Sequence, residues 1–347
     1  MLQHSIHKHT LQFKRPSGTS RGILRTKDSW FVKLWDATDP TKVGIGECSI
    51  IEGLSPDPID LLEDTLNSLT WTDNRLSDYS GSAIRDFPAI QFAVEMALLD
   101  HEQGGRRILF PSTFTEGTSH ININGLIWMG ERQFMKNQIQ SKIDQGYRCV
   151  KMKIGAIDFQ TELDILQGIR GEFSQNDIEL RVDANGAFSP EDAMDKLQRL
   201  AEYDLHSIEQ PIRQGQIELM ARLCSMTPLP IALDEELINV SDRVSRITVL
   251  REIKPQYIIL KPSLIGGLAH AQEWIDIAES NQVGWWVTSA LESNIGLNAI
   301  AQWTAKLDSD MFQGLGTGQI YVNNIGSPLR LDCDKMFYDS RLDWEDI

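Results

Sequence analysis

Apolar and polar positions along the chain fall into two textures. In the first, residues 30–35 (Trp-Phe-Val-Lys-Leu-Trp) are aromatic and β-branched, and the turn residues Asp36, Asp39 and Pro40 follow them, which predicts a strand and its turn. A second short strand is predicted over 43–48. Residues 58–69 and 88–103 carry apolar side chains at a spacing near 3.6, which predicts two helices, the second ended by Gly104-Gly105. Residues 1–115 therefore read as a small α+β unit, a strand meander followed by helices.

From about residue 118 the texture changes. Short apolar runs at 121–127, 149–154, 180–184, 207–208, 231–233, 257–260, 285–288 and 311–315 alternate with amphipathic stretches, among them 159–173, 190–203, 241–253, 268–280 and 295–307. Strand–helix alternation predicts a parallel sheet, and about eight such units favour an α/β fold of the TIM (β/α)-barrel type over residues 116–318. No Gly-x-Gly-x-x-Gly follows the first strand, which weighs against a dinucleotide fold. The Gly-rich stretch 314–318 comes instead at the end of the last unit. Residues 319–347 are too few for a domain and are expected to return to the N-terminal unit.

Composition narrows the function classes. Of 347 residues, 33 are Lys or Arg and 49 are Asp or Glu, a formal net charge of −16. Nucleic acid and anionic lipid both call for an excess of Lys and Arg, so neither is expected as a partner. No apolar run approaches the roughly 18 residues of a membrane helix, and the polar start of the chain lacks the apolar core of a secretory signal. Cys48, Cys149, Cys224 and Cys333 lie far apart with no Cys-x-x-Cys pair, which fits reduced thiols in a cytoplasmic protein. His4, His7 and His9 are expected to be solvent-exposed on a terminal strand, and Trp285 and Trp286 to lie in the barrel core. A homo-oligomer is compatible with all of this.

The candidate chemistry lies at the strand ends. Lys153, Asp183, Glu209, Asp234 and Lys261 each close or follow a predicted strand, at separations of 30, 26, 25 and 27 residues, one strand–helix repeat apiece. In a barrel they would ring the C-terminal mouth, where barrel enzymes carry their active sites. A single Asp after a strand is ordinarily a loop or helix-cap residue, and Lys-x-Lys is ordinarily a solvated edge. Here Lys151-Met152-Lys153 sits inside an apolar run, and the carboxylates recur at the repeat length, so chance is a poor account of the set.

Three carboxylates on successive strands repel one another unless a cation holds them, and an oxygen-only set without His or Cys favours Mg²⁺, or Mn²⁺ as substitute. Lysines flank that set on both sides. Near a divalent cation and a second ammonium, supplied by Lys151 two residues before Lys153, a lysine is pushed toward the neutral form that can act as a base. Asn185 would sit near Asp183 and help to orient it. The arrangement suits removal of a proton next to a carboxylate, with the metal and a lysine stabilising the enediolate.

These motifs resemble the enolase superfamily, and within it the branch of muconate-lactonising enzymes, dipeptide epimerases and o-succinylbenzoate synthases. The supporting stretches are Lys151-Met152-Lys153-Ile154-Gly155, Val182-Asp183-Ala184-Asn185-Gly186, Ile208-Glu209-Gln210-Pro211, Leu233-Asp234-Glu235 and Leu260-Lys261-Pro262-Ser263 with Gly266-Gly267. The resemblance implies a capping domain over residues 1–115, completed by the C-terminal segment, above the barrel. It implies Asp183, Glu209 and Asp234 as Mg²⁺ ligands, Lys153 as base, and Lys261 on the opposite face. Asn185 and Glu235 take supporting positions, Glu235 within pairing reach of Lys261.

Gly44-Ile45-Gly46-Glu47-Cys48, Glu52-Gly53-Leu54-Ser55-Pro56 and Ser289-Ala290-Leu291-Glu292-Ser293-Asn294-Ile295-Gly296 are similar to the o-succinylbenzoate synthase group. The Asp-x-Asp by which dipeptide epimerases hold a substrate ammonium is missing. On that resemblance, Lys153 removes a ring proton from a hydroxycyclohexadiene carboxylate and returns it to the leaving hydroxide on the same face. Lys261 would steady the dienediolate by a cation–π contact, and the product would be o-succinylbenzoate, a step toward menaquinone. Residues 15–28, with Arg21, are expected to form a lid, and Ser289, Ser293 and Gly316 are candidates to bind the succinyl carboxylate. The same two lysines would serve 1,1-proton transfer in an N-succinylamino acid racemase or dipeptide epimerase. A third reading, from another class, is a barrel that binds a ligand or partner without catalysis.

Overall fold

The computed structural model describes residues 1–19, 22–72, 75–76, 84–128 and 130–347. Three strands open the chain, β1 (Leu2–Thr19), β2 (Gly22–Asp36) and β3 (Asp39–Ser49), paired antiparallel in that order. Alternation along β2 sorts its side chains. Trp30, Val32 and Leu34 pack onto α1 (Ile59–Asn67) and α2 (Pro88–Glu102), while Phe31 on the other face joins the core shared with the barrel. Between the helices, β4 (Trp71–Thr72) and β5 (Arg75–Leu76) make a short antiparallel pair. β3 crosses α2 so closely that a Cβ at Gly46 would stand 1.8 Å from the Ala93 carbonyl oxygen, and one at Gly44 2.1 Å from that of Ala97. Only glycine permits that crossing.

The structure corrects the expectation for two of the N-terminal histidines. His7 is exposed, but His4 accepts a hydrogen bond from Trp71 Nε1 at 3.1 Å, and His9 stacks on Phe31 and bonds the Asn323 carbonyl. Both are packing residues, because the C-terminal segment covers β1 at His9 and α1 lies against it at His4, where the Leu66 carbonyl meets Nε2.

The apolar run at 121–127 divides in two. β6 (Ile121–Asn122) leaves the barrel, while β7 (Gly125–Ile127) begins it. Six more parallel strands follow, each beside its predecessor: β8 (Cys149–Lys153), β9 (Glu179–Asp183), β10 (Ser207–Glu209), β11 (Ile231–Leu233), β12 (Tyr257–Leu260) and β13 (Gly284–Val287). The last run, 311–315, supplies a closing edge. Gly314 N donates to Val287 O at 2.8 Å and Asn124 N to Gln313 O at 3.0 Å, which joins β13 to β7.

The helices of the barrel are α3 (Arg132–Asp144), α4 (Phe159–Glu172), α5 (Ala193–Ala201), α6 (Ile217–Met226), α7 (Arg243–Ile253), α8 (Pro262–Ile265), α9 (Leu268–Ser280) and α10 (Asn294–Lys306). Periodicity marks α3 weakly, since it buries only Met135 and Ile139. Trp286 fills the barrel interior under the guanidinium of Arg181, 4.3 Å from its ring. Trp285 points the other way, half-buried against the helix layer with its Nε1 on Glu279, so only one of the pair is interior.

The C-terminal segment touches both parts of the molecule. Lys14 N donates to Ile320 O at 2.8 Å and Val322 N to Gln12 O at 2.9 Å, along β1. β14 (Leu329–Asp332) and β15 (Lys335–Tyr338) then form a separate antiparallel sheet with β6. No helix among the described residues is long and apolar enough to cross a membrane.

Candidate active site

Parallel strands with direct lateral register bring the strand-end residues together. Lys153 pairs with Asp183 across β8 and β9, and Asp183 with Glu209 across β9 and β10. Asp234 follows β11 and Lys261 follows β12, so the five residues form an arc at the C-terminal rim. Lys151, two residues before Lys153, points the same way. Lys151, Lys153, Asp183 and Lys261 line a cavity of about 1040 Å³.

Each lysine of the arc has a carboxylate partner within it. Lys151 Nζ donates to Asp183 Oδ2 at 3.1 Å and Glu209 Oε2 at 2.5 Å. Lys153 Nζ donates to Asp183 Oδ2 at 2.9 Å and Asn185 Oδ1 at 2.6 Å, and Asn185 Nδ2 donates to Glu235 Oε1 at 3.1 Å. Lys261 Nζ donates to Asp234 Oδ2 and lies 3.7 Å from Glu209 Oε1. Glu235, whose Oε1 accepts from Asn185, also acts on Lys261 through its charge.

Burial and mutual charge set the protonation of this cluster. Burial opposes ionisation of Asp183, but the ammoniums of Lys151, Lys153 and Lys261 outweigh it and hold the carboxyl below the usual carboxylate range. Burial, reinforced by the charge of Asp183, pushes Glu209 up to about 7, and burial raises Asp234 as well. Burial favours the neutral amine at Lys151 and Lys261, yet the surrounding carboxylates win and raise both above the ordinary lysine value.

The donor set suits a hard divalent cation. Asp183, Glu209 and Asp234 are each 1% exposed, offer oxygen alone, and stand on adjacent strands; Glu209 Oε1 accepts no hydrogen bond. Their side chains are turned onto the lysines. Accordingly, no group of three His, Cys, Asp or Glu among the described residues converges as ligands. A cation would take the place of the lysine contacts.

Loops supply the walls. Gly22, Ile23 and Leu24 from the β1–β2 hairpin and Glu52, Gly53 and Leu54 after β3 face the cavity, so the N-terminal unit contributes directly. Ser289 and Gly316 also line it, Ser289 Oγ sharing a 2.5 Å hydrogen bond with Thr317 Oγ1. Ser293 does not. It is fully buried, its Oγ donating to Glu47 and accepting from Ile295 N at the start of α10. Arg21 lies outside the described residues.

Gln210 was missed as a functional position, although it stands inside Ile208-Glu209-Gln210-Pro211. It is fully buried with φ +39°, and its Oε1 accepts from Asp234 N at 3.1 Å and Glu236 N at 3.3 Å. It thus ties the loop after β10 to the loop carrying Asp234. A polar residue directly after a candidate ligand was the available signal.

The enolase C-terminal domain-like family matches residues 135–330. The chain is 49% identical to the o-succinylbenzoate synthase of Desulfotalea psychrophila, over 95% of this chain and 97% of that protein. The crystal structure of MenC from Desulfotalea psychrophila superposes with a TM-score of 0.86 at 45% identity, covering 97% of this chain and 99% of that one. The substrate-liganded L-Ala-D/L-Glu epimerase of Bacillus subtilis superposes with a TM-score of 0.81 at 18% identity, over 97% and 95% of the two chains, a likeness of fold alone.

Proposed function

The chain belongs to the enolase C-terminal domain-like family, and from that premise we propose that it is a hydro-lyase that removes water from a succinyl-bearing hydroxycyclohexadiene carboxylate to give o-succinylbenzoate. The observation that carries this reading is the placement of Lys153 and Lys261 at the ends of β8 and β12, on either side of the three buried carboxylates and beside the same cavity. A flat carboxylate seated over the arc is then met by one lysine on each flank.

Asp183, Glu209 and Asp234 would hold Mg²⁺, which when bound supplies positive charge to the substrate carboxylate as its acidity is called on. The side chains do the rest. Lys153, as the amine, takes the ring proton next to the carboxylate, and the C–H electron pair enters the conjugated ring. The C–O bond on the same face breaks, hydroxide departs, and the proton on Lys153 converts it to water as the ring becomes aromatic. Lys261, as the ammonium on the opposite flank, offsets the negative charge that develops in between. Asn185 fixes the direction of the Lys153 amine through its 2.6 Å contact.

The direct test is ultraviolet absorbance of the purified protein with Mg²⁺ and the diene substrate. Loss of the diene signal that disappears in Lys153→Ala supports the reading, and no turnover by the wild type overturns it. Lysines on both flanks also suit 1,1-proton transfer, the second reading. Wash-out of α-deuterium from N-succinylamino acids or dipeptides, faster than any dehydration, would favour that one.

A further inference from the structure

The walls of the cavity come from different parts of the chain, and they meet at one buried polar cluster that the chemistry above does not use. Glu47, on β3, is fully buried. Its Oε1 accepts from Ser29 Oγ at 2.7 Å and Ser293 N at 2.9 Å; its Oε2 accepts from Ser293 Oγ at 2.6 Å and Gly296 N at 2.8 Å. One carboxylate of the N-terminal unit therefore holds the start of α10 in the barrel, across 246 residues of sequence.

The turn just before α10 is strained. Leu291 has φ +63°, a conformation that residues other than glycine seldom adopt, and it needs surrounding contacts to persist. Those contacts are present. Glu292, also fully buried, accepts from Ala290 N at 2.9 Å and from Ser263 Oγ, and Tyr321 Oη donates to the Leu291 carbonyl at 2.6 Å. Ser289, Ala290 and Leu291 are the residues this turn presents to the cavity.

Lys27 completes the cluster. It is 5% exposed, donates to Ser49 Oγ, and feels the charges of both Glu47 and Glu292. It stands at the root of the β1–β2 hairpin whose Gly22–Leu24 stretch faces the cavity, and Ser49 precedes the 52–54 wall. None of Lys27, Glu47 and Glu292 lines the cavity itself.

We propose that Glu47 and Lys27 are positioning residues for substrate recognition: through Ser293 and Glu292 they fix the strained turn 289–292 against the hairpin and the 52–54 loop, and so set the shape of the cavity wall that meets the part of the substrate away from the reacting proton. This deepens the hydro-lyase reading and rests on it. Because Lys153 and Lys261 stand on β8 and β12, outside the cluster, loosening the wall loses binding shared by ground and transition states and leaves the proton transfer in place. That is a change in KM with kcat kept.

The test uses the full-length protein with Mg²⁺ and compares Glu47→Gln, Lys27→Met and the milder Ser29→Ala. In Glu47→Gln an amide N–H₂ replaces one acceptor oxygen and faces N–H donors. We expect KM to rise about tenfold with kcat within about threefold, and the Kd of the product o-succinylbenzoate, read by calorimetry, to weaken by a similar factor. Ser29→Ala should move KM the same way by roughly threefold, and it decides the matter if Glu47→Gln does not fold. Variants that are folded at the assay temperature with a lower Tm, yet show unchanged KM and product affinity, overturn the inference while the hydro-lyase reading stands. A wild type that binds the product without turning over the diene overturns the reaction reading alone, and the product Kd of the variants still judges the wall. A wild type that does neither overturns both.

Discussion

Lys151 and Lys153 donate to one and the same oxygen, Asp183 Oδ2, at 3.1 and 2.9 Å. Two ammoniums on a single carboxylate oxygen follow from strand geometry, since positions i and i+2 share a face and Asp183 is in register with Lys153 on the next strand. What separates the two lysines is their second partner. Lys151 goes inward to Glu209, whereas Lys153 goes to Asn185 in the loop above.

That difference predicts different losses. Lys153→Ala removes the base and should lower kcat by about 10³-fold or more with the fold intact, as read by diene absorbance and circular dichroism. Lys151→Ala leaves the base in place but strips a counter-charge from two buried carboxylates. It should cost stability of roughly 3 kcal/mol in urea unfolding. Equal kcat losses with equal stability would contradict the division of labour.

The metal site makes a prediction independent of turnover. If Asp183, Glu209 and Asp234 close on Mg²⁺, the ion binds the folded chain alone, and the added stability grows as RT ln(1 + [L]/Kd), about 2.7 kcal/mol at a hundredfold excess over Kd. Tm should therefore rise with Mg²⁺ concentration and fall back on chelation with EDTA. Asp183→Asn, which removes one ligand charge, should flatten that rise. A Tm indifferent to Mg²⁺ in the wild type would count against the site.

The arc was legible in the sequence because a parallel barrel forces it to be. Each strand is short and apolar, each ends at the same rim, and a charged residue at that point recurs at the repeat length, from Lys153 to Lys261. Local pattern could not reveal what depends on distant partners. Ser293 looks like a cavity residue by its neighbours in sequence, but its hydroxyl is taken by Glu47 from 246 positions away. Ile121 and Gly125 share one apolar run, yet Met336 claims the first for another sheet. His4 and His9 read as surface residues because nothing nearby in sequence announces Leu66 or Asn323.

Glu162 on α4 sets a pH dependence. It is 1% exposed, its Oε1 accepts from Gly155 N at 2.7 Å just beyond Lys153, and its Oε2 has no partner. Burial outweighs the backbone N–H groups and pushes its carboxyl up to about 7. An acid whose folded value lies above its unfolded one, about 4.3, is protonated in the folded chain while ionised in the unfolded chain across that window. Its contribution is thus full below pH 4.3, is lost as pH rises toward 7, and is flat above, on the order of 3–4 kcal/mol in all. Glu162→Gln keeps an acceptor for Gly155 and cannot ionise. Relative to wild type it should gain stability between pH 5 and pH 8 in urea unfolding, and a constant difference across that range would refute the assignment.

Gln210 offers the sharpest contrast between holding a site and doing its chemistry. Its amide oxygen fixes Asp234 N and Glu236 N, and its amide nitrogen donates to Ile212 O at 3.0 Å, so one buried side chain spans the loops after β10 and β11. Gln210→Leu keeps the volume but leaves those groups unpaired, at about 1–3 kcal/mol for each. With the loop less constrained, Asp234 should be presented less accurately, and the Mg²⁺ concentration for half-maximal activity should rise about 10–100-fold. Because Lys153 and Lys261 are untouched, excess Mg²⁺ should restore most of kcat, which it cannot do for Lys153→Ala. A Gln210→Leu enzyme whose activity stays low at every Mg²⁺ concentration would place Gln210 in the chemistry itself rather than in the support of Asp234.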